Sequence, residues 1–525
     1  MAITSLAFIG LIYCSLILYY SLIPKRMQWV FLLILSCLFY ASQSRQGLAF
    51  VCVTAVSIYF ATLVMESLSQ QKKRILNLHK EDWDKEQKKT YKARVSIKRK
   101  CVLCAALVLN FGLLCTFKYT EVPEFFSWVM PLGISFYTFQ STGYLVDVYW
   151  ENVSAERNFF KELLFVSFFP QIIQGPISKF DQLSPQLFGS HDYKYEDVAN
   201  GSRRLLWGFA KKLLIANMLA PCVKDVFTNY PQYSGITTLI GAFLYSVQIY
   251  ADFSGYMDIM CGICEMFGIR LAENFDCPYF SKSVTEYWRR WHITLGAWFR
   301  DYVYYPIAVS GWNLKIGKWA QTRFGRHFGL TLPATISLII VWITTGMWHG
   351  STWAYVVWGL ANGVFIIADL WFEPVVTRWK RFLHISDSSC AWKLWQIMTT
   401  FVLVTFIKVL PEVGTLSQGV GLWQNIFTNF DVPQRLSEWF PYWNFDMRLG
   451  YTLLCVGVMT ILLLVFFAGS VIKFRNLHGG IRNVVDGIPF AIRMSMYALL
   501  CILILMLGFG SRTLANPGEF LYAAF

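Results

Sequence analysis

Long apolar runs decide what this chain can become. Stretches 4–23, 27–40, 47–65, 102–117, 331–344, 352–371, 398–410, 451–473 and 494–509 are almost free of charge. Several approach the ~20 residues that carry a helix across a bilayer. Shorter runs at 131–149, 160–177, 204–221 and 236–250 fit tilted, broken or re-entrant segments. The expected fold is therefore an all-α polytopic integral membrane protein with roughly 11–13 membrane segments. Residues 1–23 lack a basic start and a small-residue cleavage site, so they read as a retained first span.

Charge supports the same reading. Only 15% of the 525 residues are charged, against about a quarter in soluble domains. The net charge of +14 sits mostly in loops between apolar runs. A nucleic-acid partner would call for that charge on one soluble face, so none is expected; positive residues on the cytoplasmic side of a membrane explain the charge instead. The largest block, 67–100, holds twelve Lys or Arg against four Asp or Glu and reads as a basic cytoplasmic loop near membrane lipid. With Lys25 and Arg26 on the same side, the N-terminus would face outwards, as would the acidic turn Glu121–Glu124. The pairs Cys101/Cys104 and Cys261/Cys264 have no nearby His or Cys partners, so they read as small buried residues, with no metal site and no catalytic Cys.

The middle of the chain differs. Its apolar runs are interrupted by Pro, Gly and charge, as in Pro131–Gly133, Phe169–Pro176 and Ala251–Tyr256. Irregular backbone at membrane depth persists only inside protein or along a wet cavity. Two histidines lie here, 57 residues apart: His292 in Tyr287–Thr294 and His349 in Thr345–Gly350. Ionisable groups are costly in hydrocarbon and mark sites of function. Burial keeps an imidazole neutral, the form that a general base needs.

The stretch 284–304 predicts one helix. Trp288, Trp291, His292, Leu295, Trp298 and Phe299 would share its aromatic face, with Arg289, Arg290 and Arg300 elsewhere. An interfacial belt with snorkelling Arg explains the Trp and Arg residues; arginines gripping a phosphorylated ligand explain them as well. Tyr250, Ser254 and Asp258 would line one side of a helix. Asp252 and Asp258 need partners, with Arg203, Arg204, Arg289 and Arg290 as candidates, and structural ion pairing competes there with a catalytic role.

An ordered set of motifs carries a resemblance. Pro131–Gln140 with Tyr144–Tyr149, Phe168–Gln171 with Gly175-Pro176, Asp252–Tyr256, Trp288–His292 with Arg300–Tyr302, and Met347–Gly350 follow one another over about 130–363. In this the chain resembles the membrane-bound O-acyltransferase (MBOAT) family, most closely its alginate-type polysaccharide O-acetylating branch and next its D-alanyl-transferring branch. The resemblance implies a helical ring around a thin central funnel. It implies His349 as the base that deprotonates an acceptor hydroxyl, with His292 as a second catalytic histidine. Trp288, Arg289, Arg290, Trp291, Asp252, Tyr250, Trp348 and Asn362 are the residues then expected to bind substrate. Asn362 stands where members of this branch often carry a further His, a departure from the family pattern.

By the same resemblance, no cofactor is held and acetyl-CoA is the acyl-donor substrate. An extracytoplasmic SGNH-type acetyltransferase or esterase is the partner, and a cell-surface polysaccharide is the final acceptor. The location is the bacterial inner membrane. D-alanyl transfer to teichoic acid, or a lipid-linked sugar transporter built on broken helices, are the rival readings. The expected organisation is N-terminal spans at 1–66, the basic loop at 67–100, the catalytic core at 101–373 and C-terminal spans at 374–525. The tail Glu519–Phe525 is a candidate contact for the partner.

Overall fold

The computed structural model describes residues 3–120, 131, 133–431, 449–475 and 481–509. The turn Glu121–Glu124 and the tail Glu519–Phe525 lie outside the described residues. Among the described residues nine helices are long and apolar enough to cross a membrane, and Leu6–Ser21 is a shorter apolar helix. The chain divides into two compact units: Met1–Arg203 with Met260–Ala272, and Arg204–Ile259 with Glu273–Phe525.

The first unit contains α1 (Leu6–Ser21), α2 (Gln28–Gln43), α3 (Arg45–Leu78), α4 (Lys85–Tyr119), α5 (Ile134–Tyr149) and α6 (Phe159–Ser167). It also holds the start of α7 (Tyr195–Thr228) and the end of α8 (Gly235–Met266). Helices α3 and α4 have 34 and 35 residues. At 1.5 Å per residue each is about 50 Å long, well beyond the ~30 Å of hydrocarbon. The basic block 67–100 is their charged outer turns and the connection between them, where Asp84 and Gln87 form a capping box.

Glu151 ties this hairpin to α5. It follows that helix in a left-handed conformation (φ 63°), accepts from Ser69 Oγ, and pairs with Lys72 at 3.2 Å, Lys73 at 3.1 Å and Arg99 at 3.0 Å. The hydrogen bond from Ser69, then those from the two lysines, draw its carboxyl down to about 2. Helix α5 is buried along nearly its whole length. Its start needs glycine twice over: Gly133 has φ 70°, and a Cβ there would lie 1.6 Å from Ile172 O. The short helix Phe169–Ile172 and the non-helical residues after it are the irregular backbone that Phe169–Pro176 predicts.

The second unit carries the histidines. Here α7 and α8 cross glycine on glycine: a Cβ at Gly208 would meet Gly255 O at 2.7 Å. Next come α9 (Val284–Arg290), α10 (Ile293–Phe299), a π-helical turn Arg300–Tyr304, α11 (Gly311–Phe324), α12 (Arg326–His349), α13 (Trp353–Phe382) and α14 (Cys390–Glu412). The second unit continues with α15 (Leu416–Thr428), α16 (Leu449–Phe474) and α17 (Phe490–Leu503). Helices α12 and α13 form a tight hairpin on small residues. A Cβ at Gly359 would lie 2.3 Å from Trp342 O, and one at Gly346 2.5 Å from Tyr355 O.

One expectation fails. The stretch 284–304 is not one helix. It breaks between α9 and α10, where Trp291 is extended and His292 is left-handed (φ 46°, ψ 53°). The cause is competition for backbone hydrogen bonds. The extended segment 274–276 runs alongside: Asp276 N–H donates to Arg290 O at 3.0 Å and Ile293 N–H to Asn274 O at 3.1 Å. Phe275 and Trp291 form an isolated antiparallel bridge. Asn274 Oδ1 then accepts from Thr294 N–H at 3.0 Å and Thr294 Oγ1 at 2.7 Å. Such a conformation costs about 1–3 kcal/mol for a non-glycine residue and survives where neighbours over-determine it. The single aromatic face therefore divides, and Trp291 and His292 point into different surroundings.

Candidate active site

His349 is the last residue of α12, and a three-residue turn separates it from α13. That turn folds back tightly: a Cβ at Gly350 would lie 2.0 Å from the Tyr355 ring. The His349 ring is 4.7 Å from Trp348 and 4.7 Å from Trp358, near-perpendicular to both. The His292 ring packs 4.9 Å from Phe253 and 6.2 Å from Trp348. Trp348 thus touches both histidines, which are 1% and 4% exposed at 292 and 349. The segment 274–300 lies outside the long apolar helices, and burial pushes the His292 imidazole down to about 3. It is neutral at ordinary pH.

Trp288 closes the wall. Its ring meets Trp342 at 4.9 Å and Trp358 at 5.7 Å. Its Nε1–H donates to Asn362 Oδ1 at 3.0 Å, and Asn362 Nδ2–H donates to Trp358 O at 2.8 Å. The structure therefore gathers His349, His292, Trp348, Trp288 and Asn362 from the expected set. It adds Trp342, Trp358 and Phe253, which the motif reading did not select as site residues. Helical spacing held the signal for two of them: Trp342, Gly346 and His349 are i, i+4 and i+7 on α12, and Trp358 and Asn362 are i and i+4 on α13. A cavity of about 610 Å³ opens beside Trp342 between α12 and α13, lined by apolar residues including Ile339, Val364, Ile367 and Phe372.

The remaining candidates lie elsewhere. Trp291 and Tyr250 belong to an aromatic cluster with Phe275 and Tyr279, at ring separations of 5.0–6.1 Å. Arg289 is exposed. Arg290 pairs with Glu286 at 2.8 Å and stands 3.9 Å from Asp276. Asp252 sits at the α7–α8 crossing with Lys212 at 2.5 Å.

At the same crossing Asp258 pairs with Lys211 at 2.6 Å and Arg204 at 2.9 Å, and Arg204 grips Glu273 with both terminal nitrogens. Lys211 also donates to Ser254 Oγ at 2.9 Å, so Ser254 and Asp258 do share a helix side. Three cations (Arg204, Lys211, Lys212) meet three carboxylates (Asp252, Asp258, Glu273). Arg204 was among the expected partners; the lysines were not. They sit in an apolar run and turn inwards together in the π-helical segment Ala210–Ala216.

Chemically the arrangement offers buried imidazoles against a tryptophan-lined wall. Such a setting suits taking a proton from a hydroxyl while limiting the entry of water.

Comparison with known proteins agrees on the family. Residues 138–410 match the membrane-bound O-acyltransferase family, MBOAT. A probable alginate O-acetylase AlgI from Azotobacter vinelandii is 36% identical over 264 residues, covering 50% of this chain and 48% of the relative. A peptidoglycan O-acetyltransferase from Helicobacter pylori is 31% identical over 300 residues, covering 50% and 54%. A teichoic acid D-alanyltransferase from Streptococcus thermophilus is 28% identical over 253 residues, covering 47% and 58%. The chain spans about half the length of the curated relatives it matches.

Proposed function

We propose that this chain, which belongs to the membrane-bound O-acyltransferase family, moves an acetyl group from cytoplasmic acetyl-CoA across the membrane for O-acetylation of a cell-surface polysaccharide. The observation that carries the reading is the meeting of two buried histidines on the Trp348 ring, inside the segment matched to the family. The names of the alginate and peptidoglycan relatives favour acetyl and a polymer acceptor.

In the proposed step His349 takes the proton of an acceptor hydroxyl as its oxygen attacks the thioester carbonyl. The carbon–sulfur bond breaks, and the departing thiolate recovers the proton from the imidazolium. Holding donor and acceptor together in the wall supplies proximity. His292, with Trp348 and Phe253, shapes the approach to that carbonyl. Trp288 and Asn362 hold the opposite side. An SGNH-type protein outside the membrane completes delivery, and the setting is the bacterial inner membrane.

Acetate released from surface polymer by mild alkali tests this, in cells carrying wild type, His349→Ala or His292→Ala at equal membrane levels. We expect a loss of about 10²-fold or more for His349→Ala and a smaller loss for His292→Ala. Unchanged acetate in His349→Ala would overturn the mechanism. The teichoic acid relatives favour a second reading, D-alanyl transfer. Base-labile D-alanine in place of acetate in the same samples would establish it.

A further inference from the structure

Lys408 on α14 is buried, at 6% exposed, and stands in an aromatic cage. Its Nζ lies 3.8 Å from the Trp291 ring centre, 4.8 Å from Tyr279 and 5.1 Å from Tyr287. It donates to Tyr279 Oη at 3.0 Å, and that hydroxyl donates onwards to Ser246 O at 2.5 Å. Among the described residues no ion pair includes Lys408, in contrast to Lys211 and Lys212. A lysine within a long apolar helix is unfavourable by itself, and a methionine would fill the same space. What the lysine adds is direction: its Nζ lies over the face of the Trp291 ring and is held there by Tyr279 Oη, an N–H to ring-face contact that a methionine cannot make.

We propose that Lys408 is a positioning residue for His292. Its Nζ, anchored on Tyr279, fixes the face of Trp291 and so supports the strained turn that aims the neighbouring imidazole. The turn is left-handed at His292 and needs support from more than one side. Asn274 and the Phe275 bridge hold its backbone. Lys408 holds it through the Trp291 side chain. With the ring held, fewer backbone paths remain at 291–292, and in the observed one His292 packs on Phe253 and Trp348. The inference rests on reading His292 as part of the acyl-transfer site.

The test uses the purified full-length protein in detergent, as wild type, Lys408→Met and Lys408→Arg. Diethyl pyrocarbonate modifies accessible imidazoles, and peptide mass spectrometry reads the rate at His292 against the half-buried His79 and the exposed His384. We expect Lys408→Met to raise the relative rate at His292 by about fivefold or more. Lys408→Arg keeps N–H donors over the ring and should stay within about twofold of wild type. In acyl transfer Lys408→Met should lower kcat by about tenfold with KM changed less than about twofold, and Lys408→Arg should recover most of the loss. An unchanged His292 rate in Lys408→Met overturns the proposal.

If Lys408→Met does not accumulate, Trp291→Phe carries the same test. It keeps a ring but weakens the contact with the Lys408 nitrogen, so a faster His292 supports the proposal and an unchanged one overturns it. The footprint needs no substrate. A faster His292 in a protein without acyl transfer would sink the proposed function while still showing that Lys408 holds the turn; acyl transfer with an unchanged footprint would sink only the inference.

Discussion

The Arg204–Ile259, Glu273–Phe525 unit buries titratable groups in two opposite ways. At the α7–α8 crossing, charge is cancelled by charge: Lys212 meets Asp252, and Lys211 and Arg204 share Asp258. Around His292 and His349 aromatic rings do the packing, and Lys408 lies on tryptophan and tyrosine faces. Opposite charges at contact distance lock two helices together but leave little chemistry to perform. An aromatic wall neither donates nor withdraws a proton, so it can hold a neutral base dry. The first region reads as structure, the second as a site.

The largest expected effect breaks the ionic side. Lys212→Met would leave Asp252 buried without its lysine and should cost about 3–5 kcal/mol, seen as a lower unfolding temperature in detergent. Lys212→Met with Asp252→Leu should recover most of that stability. A single variant as stable as wild type would show that Asp252 is not held by this pair, and would reopen a binding role for it.

A smaller effect is expected on the aromatic side. Asn362→Leu removes the acceptor of Trp288 Nε1–H, which should cost about 1 kcal/mol of stability while lowering acyl transfer roughly tenfold. Equal losses of folded protein and activity would mean that Asn362 is structural, and the contrast between the regions would weaken.

The smallest effect concerns Glu151, whose ion pairs are partly solvated. Its folded value of about 2 lies below the ordinary 4.5. The stabilisation is therefore complete above about pH 4.5 and is lost as pH falls from there towards about 2. Solvent screening should keep it near 1 kcal/mol or less. Unfolding temperature measured between pH 7 and pH 3 should fall slightly less in Glu151→Gln than in wild type; identical slopes would show that the Glu151 pairs contribute nothing.

Some of this was legible in the residues. The apolar runs point to the long helices, because a segment in hydrocarbon must satisfy its own backbone. His349 and His292 stood out because titratable groups there are costly. Arg204 was readable as a partner for the intramembrane carboxylates. The lysine pairs were not, because Lys211 and Lys212 lie within an apolar run and only a π-helical turn presents both to α8. The break at 291–292 was invisible for a similar reason: no Gly or Pro lies between 284 and 295, so nothing local announces it.

By itself, then, the sequence determined the helical membrane architecture, the buried histidines and the family motifs, since these depend on local periodicity and on the cost of polar groups in lipid. Only the tertiary structure decided where the aromatic face splits, which cations meet Asp252 and Asp258, and that Lys408 lies over Trp291. Each of those depends on groups far apart in the chain competing for the same hydrogen bonds, charges or ring faces, and that competition is settled only once the helices have packed.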